Sequence, residues 1–195
     1  MKREKTTANQ RRSHGEQGFT LVEVLMSIVV LSIGLLSLLG VLGIAMASTQ
    51  TSQQDSTAKQ LANEAMEGIL TARETQNATW TQIQNTGSGG IFVPGFVAMN
   101  CAGVDGIIGT ADDTACGPQI LEQPGPSGVY AGTCPPDVCY PLTNYTRQIL
   151  IAPVFDGGGN LIPSLRQVSI TIQYVPANMK KAKQYIINTY ISQYR

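Results

Sequence analysis

Few residues in this chain of 195 could do chemistry, and their scarcity is itself informative. The only histidine is His14, near the amino terminus. Without it, residues beyond the first eighteen have no imidazole for a triad, for general base work or for a histidine-bearing zinc site. Three carboxylates, Asp105, Asp112 and Asp113, lie close in sequence among glycines, as Asp105-Gly106-Ile107-Ile108-Gly109-Thr110-Ala111-Asp112-Asp113. Calcium takes several oxygen ligands from carboxylates and carbonyls on a turning loop, so these three are the candidate ligands for it. The stretch lacks the alternating carboxylates of an EF-hand, and an Asx-turn-rich surface loop is the plainer reading. Four cysteines, Cys101, Cys116, Cys134 and Cys139, offer thiol chemistry. Last comes Glu23, the one ionisable side chain between Phe19 and Ala47.

Glu23 makes sense only through the element that holds it. Residues 19–47 are apolar or small almost throughout and contain no proline. As a helix they would rise about 43 Å, against a hydrocarbon core of about 30 Å. A membrane segment is favoured over a core helix. Before it stand Lys2, Arg3, Lys5, Arg11 and Arg12 against Glu4 and Glu16, a local net charge of +3. Such flanks stay cytoplasmic, so the remainder of the chain is expected outside. A secretory signal peptide has a shorter apolar stretch with its small-residue cleavage site afterwards. Here the small residue, Gly18, precedes the stretch. A cut between Gly18 and Phe19 would keep the whole apolar helix and place a new amino group one turn before Glu23. A carboxylate within a membrane helix costs on the order of 2.5–3.5 kcal/mol, so a partner is expected. That amine, of the same chain or of a neighbour, is the natural one.

The run Gly18-Phe19-Thr20-Leu21-Val22-Glu23-Val24-Leu25 resembles the prepilin signature shared by type IV pilins and type II secretion pseudopilins. The resemblance implies cleavage after Gly18 by a prepilin peptidase and N-methylation of Phe19. It implies an assembly role for Glu23 and no catalytic residue. The partners it implies are other pilin subunits, the peptidase, an inner-membrane assembly platform, and membrane lipid before assembly. Asn144-Tyr145-Thr146-Arg147, Val168 to Tyr174 and Asn188-Thr189-Tyr190-Ile191 are similar to minor pilins of the PilV kind. That resemblance implies a minor subunit active in pilus assembly, priming or adhesion. The alternatives are a minor pseudopilin of a type II secretion system and a signal-anchored binding protein that never polymerises. The expected location is the inner membrane, then the pilus or a periplasmic pseudopilus. The aspartate loop also resembles the calcium loop of the major type II pseudopilin.

The domain plan follows. Residues 1–18 form a leader, 19–47 a transmembrane and filament-core helix, and 48–84 an amphipathic continuation. Ala58, Leu61, Ala62, Ala65, Met66 and Ile69 recur at helical spacing there. Thr86-Gly87-Ser88-Gly89-Gly90 reads as the linker that ends the helix. Residues 85–195 form the head. Its part 91–141 is rich in Gly, Pro and Asp and needs fixing by something other than a core. Its part 144–195 reads as strands: Tyr145–Phe155, a turn at Asp156–Asn160, an alternating run from Val168 to Tyr174, a polar connection, and Gln184–Tyr194. The fold class expected is α+β and pilin-like, a long helix on a small antiparallel sheet of three to four strands.

An even number of cysteines in an exported chain points to two disulfides. Three pairings are open, and short loops favour Cys101–Cys116 with Cys134–Cys139. The cysteine spacings suit zinc poorly. Formal charge is zero overall, and loss of residues 1–18 leaves 8 basic and 11 acidic residues, a net charge of −3. That gives no footing for nucleic acid. No P-loop, nucleophile elbow or dinucleotide fingerprint occurs, so no enzyme and no cofactor beyond calcium is expected.

Overall fold

The structure is a computed structural model and describes residues 18–115, 118–122, 139–176 and 179–194. Residues 1–17 of the leader and Cys116 and Cys134 therefore lie outside the described residues. The chain divides into two units, Met1–Met46 and Ala47–Arg195. One helix, α1 (Leu21–Glu74), contributes to both.

In the first unit α1 is apolar on every side. Each large apolar side chain from Phe19 to Met46 is exposed, from 46 % at Leu42 to 81 % at Phe19. Its three serines do not spoil this surface. Ser27, Ser32 and Ser37 donate their hydroxyls to the carbonyls of Glu23, Ile28 and Ile33, at 2.7, 2.7 and 3.0 Å. Each hydroxyl proton is satisfied within the helix, the condition that an apolar surrounding sets.

In the second unit the same helix becomes amphipathic. Ala58, Leu61, Ala62, Ala65, Met66, Ile69 and Ala72 are its buried face. They pack in one core with Ile149, Ile151, Val168, Ile170, Ile172 and Ile191 of the sheet. The four alanines let backbone approach strand, and the branched aliphatics opposite fill the space. Fully burying one such aliphatic contributes about 1.5–3 kcal/mol.

The main sheet is antiparallel in the order β1-β4-β5-β6, from β1 (Val97–Ala98), β4 (Tyr145–Phe155), β5 (Leu161–Tyr174) and β6 (Lys183–Ser192). A separate antiparallel pair joins β2 (Ile120–Glu122) to β3 (Cys139–Pro141). The expected helix on a four-stranded sheet is what the structure contains. The β4–β5 turn forms as read: Asp156 Oδ1 accepts from the N–H groups of Gly158 and Asn160 at 2.9 and 2.8 Å, and Gly159 takes φ 82°. A register shift falls at Pro153/Val154, where proline brings no donor to the ladder.

Two expectations need correction. First, α1 stops at Glu74 rather than near Gln84. Gln76 adopts φ 61°, its N–H reaches the Arg73 carbonyl at 3.3 Å, and the Ala78 N–H closes on the Ala72 carbonyl at 3.0 Å. This is a left-handed helix end of the Schellman type, widened by one residue and made without glycine. Nothing in the composition marks it. Second, residues 86–90 are not a linker. Thr86–Ser88 forms a 3-10 turn, and Ile83 and Phe92 on either side are fully buried. Gly90 lies so close to Gln84 that an added Cβ would sit 2.0 Å from its carbonyl oxygen. The glycine serves close approach, not freedom.

Residues 91–115 likewise have a share in the core, through Phe92, Met99 and Ile107. Polar side chains secure the rest. Buried Asn85 donates to the carbonyls of Ile149 and Phe92 at 2.8 and 3.2 Å and accepts from the Ile151 N–H at 2.8 Å. It thereby serves β4 beyond the end of the two-residue β1. Gln148 adds a bond to the Pro94 carbonyl at 2.8 Å. Arg166, from β5, lies 4.2 Å over the Trp80 ring and donates to the carbonyls of Trp80 and Ile83.

Candidate functional site

The start of α1 holds Gly18, Phe19 and Glu23. Thr20 sets the first turn. Its carbonyl accepts from the N–H groups of Glu23 and Val24 at 3.0 and 3.3 Å, and its Oγ1 lies 3.3 Å from the Glu23 nitrogen. Thr20 is the N-cap and Glu23 the third helical residue, the spacing of a capping box. Only half of the box is made. Among the described residues no donor meets the Glu23 carboxylate. The acid is thus placed in the first turn, where the helix dipole favours negative charge, with its oxygens uncommitted. Phe19, 81 % exposed, stands immediately before the cap. An amine created at Phe19 would arise beside this turn. The sequence reading named Thr20 as part of the pattern but missed its capping role; threonine three places before Glu23 was the available signal.

The structure brings the three aspartates together: one oxygen of each of Asp105, Asp112 and Asp113 lies within 4.8 Å of the others. Their environments differ. Asp105 is exposed, and its Oδ1 accepts from the Ile107 N–H at 2.8 Å. Asp112 accepts from the Asp105 N–H at 3.2 Å and from the Thr110 hydroxyl at 2.5 Å, and the Thr110 bond leads in holding its carboxyl below the usual range. Asp113 is buried. Its oxygens accept from the N–H groups of Gly103 and Gly109 at 3.1 and 2.6 Å. Burial raises its carboxyl above the usual value, against the pull of those bonds and of Arg147.

Arg147 was not anticipated as anything but a strand residue. It is fully buried on the inward face of β4, and its one ion pair among the described residues is to Asp113, at 3.7 Å. Among the described residues none of its three guanidinium nitrogens makes a hydrogen bond. Burial lowers its affinity for the proton, and Asp113 and Glu64 oppose that. The aspartate loop is therefore folded by its own backbone donors and tied to the sheet through one ion pair. As a cation cradle it offers the second carboxylate oxygen of Asp105, whereas both oxygens of Asp112 and of Asp113 already accept hydrogen bonds.

Cys101 is disulfide-bonded. The sulfurs of Cys116, Cys134 and Cys139 lie outside the described side chains.

Residues 13–39 match the family described as the prokaryotic N-terminal methylation motif. No curated protein and no solved structure matches the chain. The motif begins before the described residues and covers the half-made capping box and the exposed helix. Cleavage by a prepilin peptidase and assembly with other pilin subunits are what a motif of this kind implies in general. The apolar part of α1 is long enough to cross a membrane, with mean hydropathy 2.7 and none of that window buried. On this motif and this helix the chain is similar to type IV prepilins and pseudopilins, and consistent with a protein anchored in a membrane.

Proposed function

We propose that this chain is a non-enzymatic minor pilin subunit of a type IV pilus. The leader is removed after Gly18, Phe19 is methylated, and the first unit of α1 moves from bilayer to filament core. The observation that carries the reading is the uncommitted Glu23 carboxylate at the head of a helix whose large apolar side chains are all exposed as far as Met46. Such a surface needs a second apolar environment, and lipid or neighbouring helices both provide it at similar free energy. Extraction from the membrane then costs little apolar burial. The Glu23 charge, paired with the Phe19 amine, fixes axial register between subunits.

Two substitutions separate this role from capping. Gln can replace Glu in a capping box but carries no charge. Glu23→Gln and Glu23→Ala are therefore both expected to export normally and to enter filaments poorly. If the pair contributes only about 1.4 kcal/mol, incorporation falls about tenfold. Normal incorporation of Glu23→Gln would show that the acid serves only the helix start. Mass spectrometry of the purified protein checks the first step, with a methylated Phe19 terminus expected. An uncut chain would favour a non-polymerising anchor. Loss of surface pili on deletion supports the pilus; a block in protein secretion with pili intact would assign the chain to a type II system. We also propose that Asp105, Asp112 and Asp113 bind calcium in the head.

A further inference from the structure

A groove of about 540 Å³ runs along α1 between the helix, from Gln60 to Thr75, and residues 106–108 of the aspartate loop. At its Thr75 end Asn77 ties the helix end to the loop, donating to the Asp105 carbonyl at 2.9 Å. The charge of the groove is one-sided. Glu64 and Glu67 line it and are exposed, and no Lys or Arg does. Glu64 accepts from the Gln119 amide at 2.9 and 3.0 Å, whereas among the described residues Glu67 has no donor. Beside Glu67 stands Gly68, in the helix interior, where glycine weakens a helix relative to alanine. An added Cβ there would meet nothing within 4 Å, so packing inside the chain does not require the glycine. It leaves the helix backbone open to close approach from outside.

The opposite charge stands on the opposite flank. The turn from β5 to β6 carries Met179, Lys180 and Lys181, all exposed. Among the described residues neither Lys180 nor Lys181 has an ion pair, while Lys183 is held by Asp55 of its own chain at 3.3 Å. The loop that walls the groove is tied to β4 through Asp113 and Arg147. In the strand order β1-β4-β5-β6, groove wall and basic turn therefore belong to opposite sides of the sheet.

We propose that the basic turn of one copy docks in the acidic groove of the next, with α1 parallel in the two copies. The contact rests on the reading of the chain as a subunit of an assembly. Lys180 and Lys181 meet Glu67 and the remaining lone pairs of Glu64, and Met179, 46 % exposed, covers the Ile108 wall. Two different surfaces are joined, so the contact is heterologous, and every copy keeps a groove or a turn for a further neighbour. The levels of the two surfaces fix an axial shift. The turn stands beside Asp55, and Glu64 and Glu67 lie nine and twelve residues further along α1. The copies are therefore offset by about 14–18 Å. That exceeds the roughly 13 Å by which the apolar stretch outruns the hydrocarbon core. The contact thus belongs to the assembled fibre, not to chains resting side by side in a bilayer. Exposed ion pairs contribute little each, so the turn selects the neighbour while helix packing holds it. Copies of a minor subunit then stand next to one another rather than scattered through the fibre.

Zero-length carbodiimide cross-linking of purified fibres tests this on the unsubstituted chain. The reagent joins an amine to a carboxylate only where the two touch. The expected product is a dimer whose link, mapped by mass spectrometry, joins Lys180 or Lys181 to Glu64 or Glu67. Within one chain the axial separation of about 14–18 Å keeps these groups apart. Glu67→Lys and Lys181→Glu should each reduce the dimer several-fold. The chain carrying both reversals should recover a link between the two positions, which separates lost contact from lost folding. Fibres that contain the chain but give no link between turn and groove overturn the contact and leave the subunit reading intact. Equal linking in the single reversals overturns it as well. Chains that enter no fibre overturn both.

Discussion

Removing Asp113 and removing Arg147 should have opposite consequences, although they form one ion pair. The pair is buried and 3.7 Å apart. At an effective dielectric near 20 its attraction is about 4–5 kcal/mol. Against that stand three guanidinium nitrogens with no hydrogen bond. Each such group costs about 1–3 kcal/mol when buried. Arg147→Met removes attraction and cost together, and the Asp113 carboxyl left behind keeps two backbone donors, with burial already raising it above the usual carboxyl value. The expected change is within about 1 kcal/mol of zero, or a gain, as for other buried pairs exchanged for apolar groups. Asp113→Ala leaves the guanidinium uncompensated, a loss of about 3–5 kcal/mol. The Gly103 and Gly109 N–H groups also lose their acceptor. Urea unfolding of the full chain in detergent, followed through the single tryptophan, Trp80, reads the difference. With a slope near 2 kcal/mol/M, Asp113→Ala should lower the midpoint by about 1.5–2.5 M. The double variant should recover much of that loss. If Arg147→Met destabilises as much as Asp113→Ala, the ion pair is a net source of stability and the reasoning fails.

Three further outcomes are expected. Asn85→Ala should cost about 2–4 kcal/mol in the same assay, because it strands the Ile151 N–H and the Ile149 carbonyl in the interior, while the Phe92 carbonyl keeps the Thr86 N–H; a change under about 0.5 kcal/mol would mean that Asn85 does not hold the 85–92 segment to β4. Asp55 accepts from the Tyr174 hydroxyl and pairs with Lys183 at 3.3 Å, and the tyrosine bond leads in holding its carboxyl below the usual 3.8. A lowered carboxyl adds stability above 3.8 that is lost as pH falls through the folded value, so Asp55→Asn should flatten the decline below pH 4, and an unchanged acid limb would refute the assignment. Calcium at a hundredfold excess over its dissociation constant should stabilise the head by about 2.7 kcal/mol, magnesium should do less, and Asp105→Asn should abolish the effect; no calcium shift in the thermal midpoint would remove the metal from the proposal.

What the sequence made legible was whatever depends on periodicity. The apolar run from Phe19, the helical face from Ala58 to Ile69 and the alternation in β5 each follow from a repeat that burial must obey. The turn at Asp156–Asn160 was readable because its aspartate and glycines act locally. Illegible were the features made by single polar residues acting over long sequence distances. Asn85 meets Ile149 across 64 residues, and Arg166 meets Ile83 across 83. No local pattern distinguishes such a residue from a surface one. The same holds for Gln76, whose left-handed backbone ends α1 in a stretch that reads as helix-compatible. The carboxylate cluster was visible as spacing, whereas the role of Asp113 beneath it needed Arg147, which lies in the later strand β4.

These long-range polar contacts share a design. In each, one strand or loop side chain holds an irregular segment by its backbone or by one buried charge: Asn85 to β4, Gln148 to Pro94, Arg166 to Trp80 and Ile83. A bond to a backbone carbonyl constrains where a loop runs but not which side chains it displays. The irregular segments can therefore change their exposed residues without disturbing the helix-on-sheet core. For the buried anchor Asn85 the reverse holds, since its removal leaves a buried donor and acceptor unmet. The division matches the two jobs proposed for the chain. The helix start and its apolar surface must suit a common assembly, whereas the loops are free to suit whatever the head meets. Substitutions of exposed loop residues such as Val104, which is 100 % exposed, should then leave both stability and filament entry unchanged, while the Asn85 and Asp113 variants lose stability first.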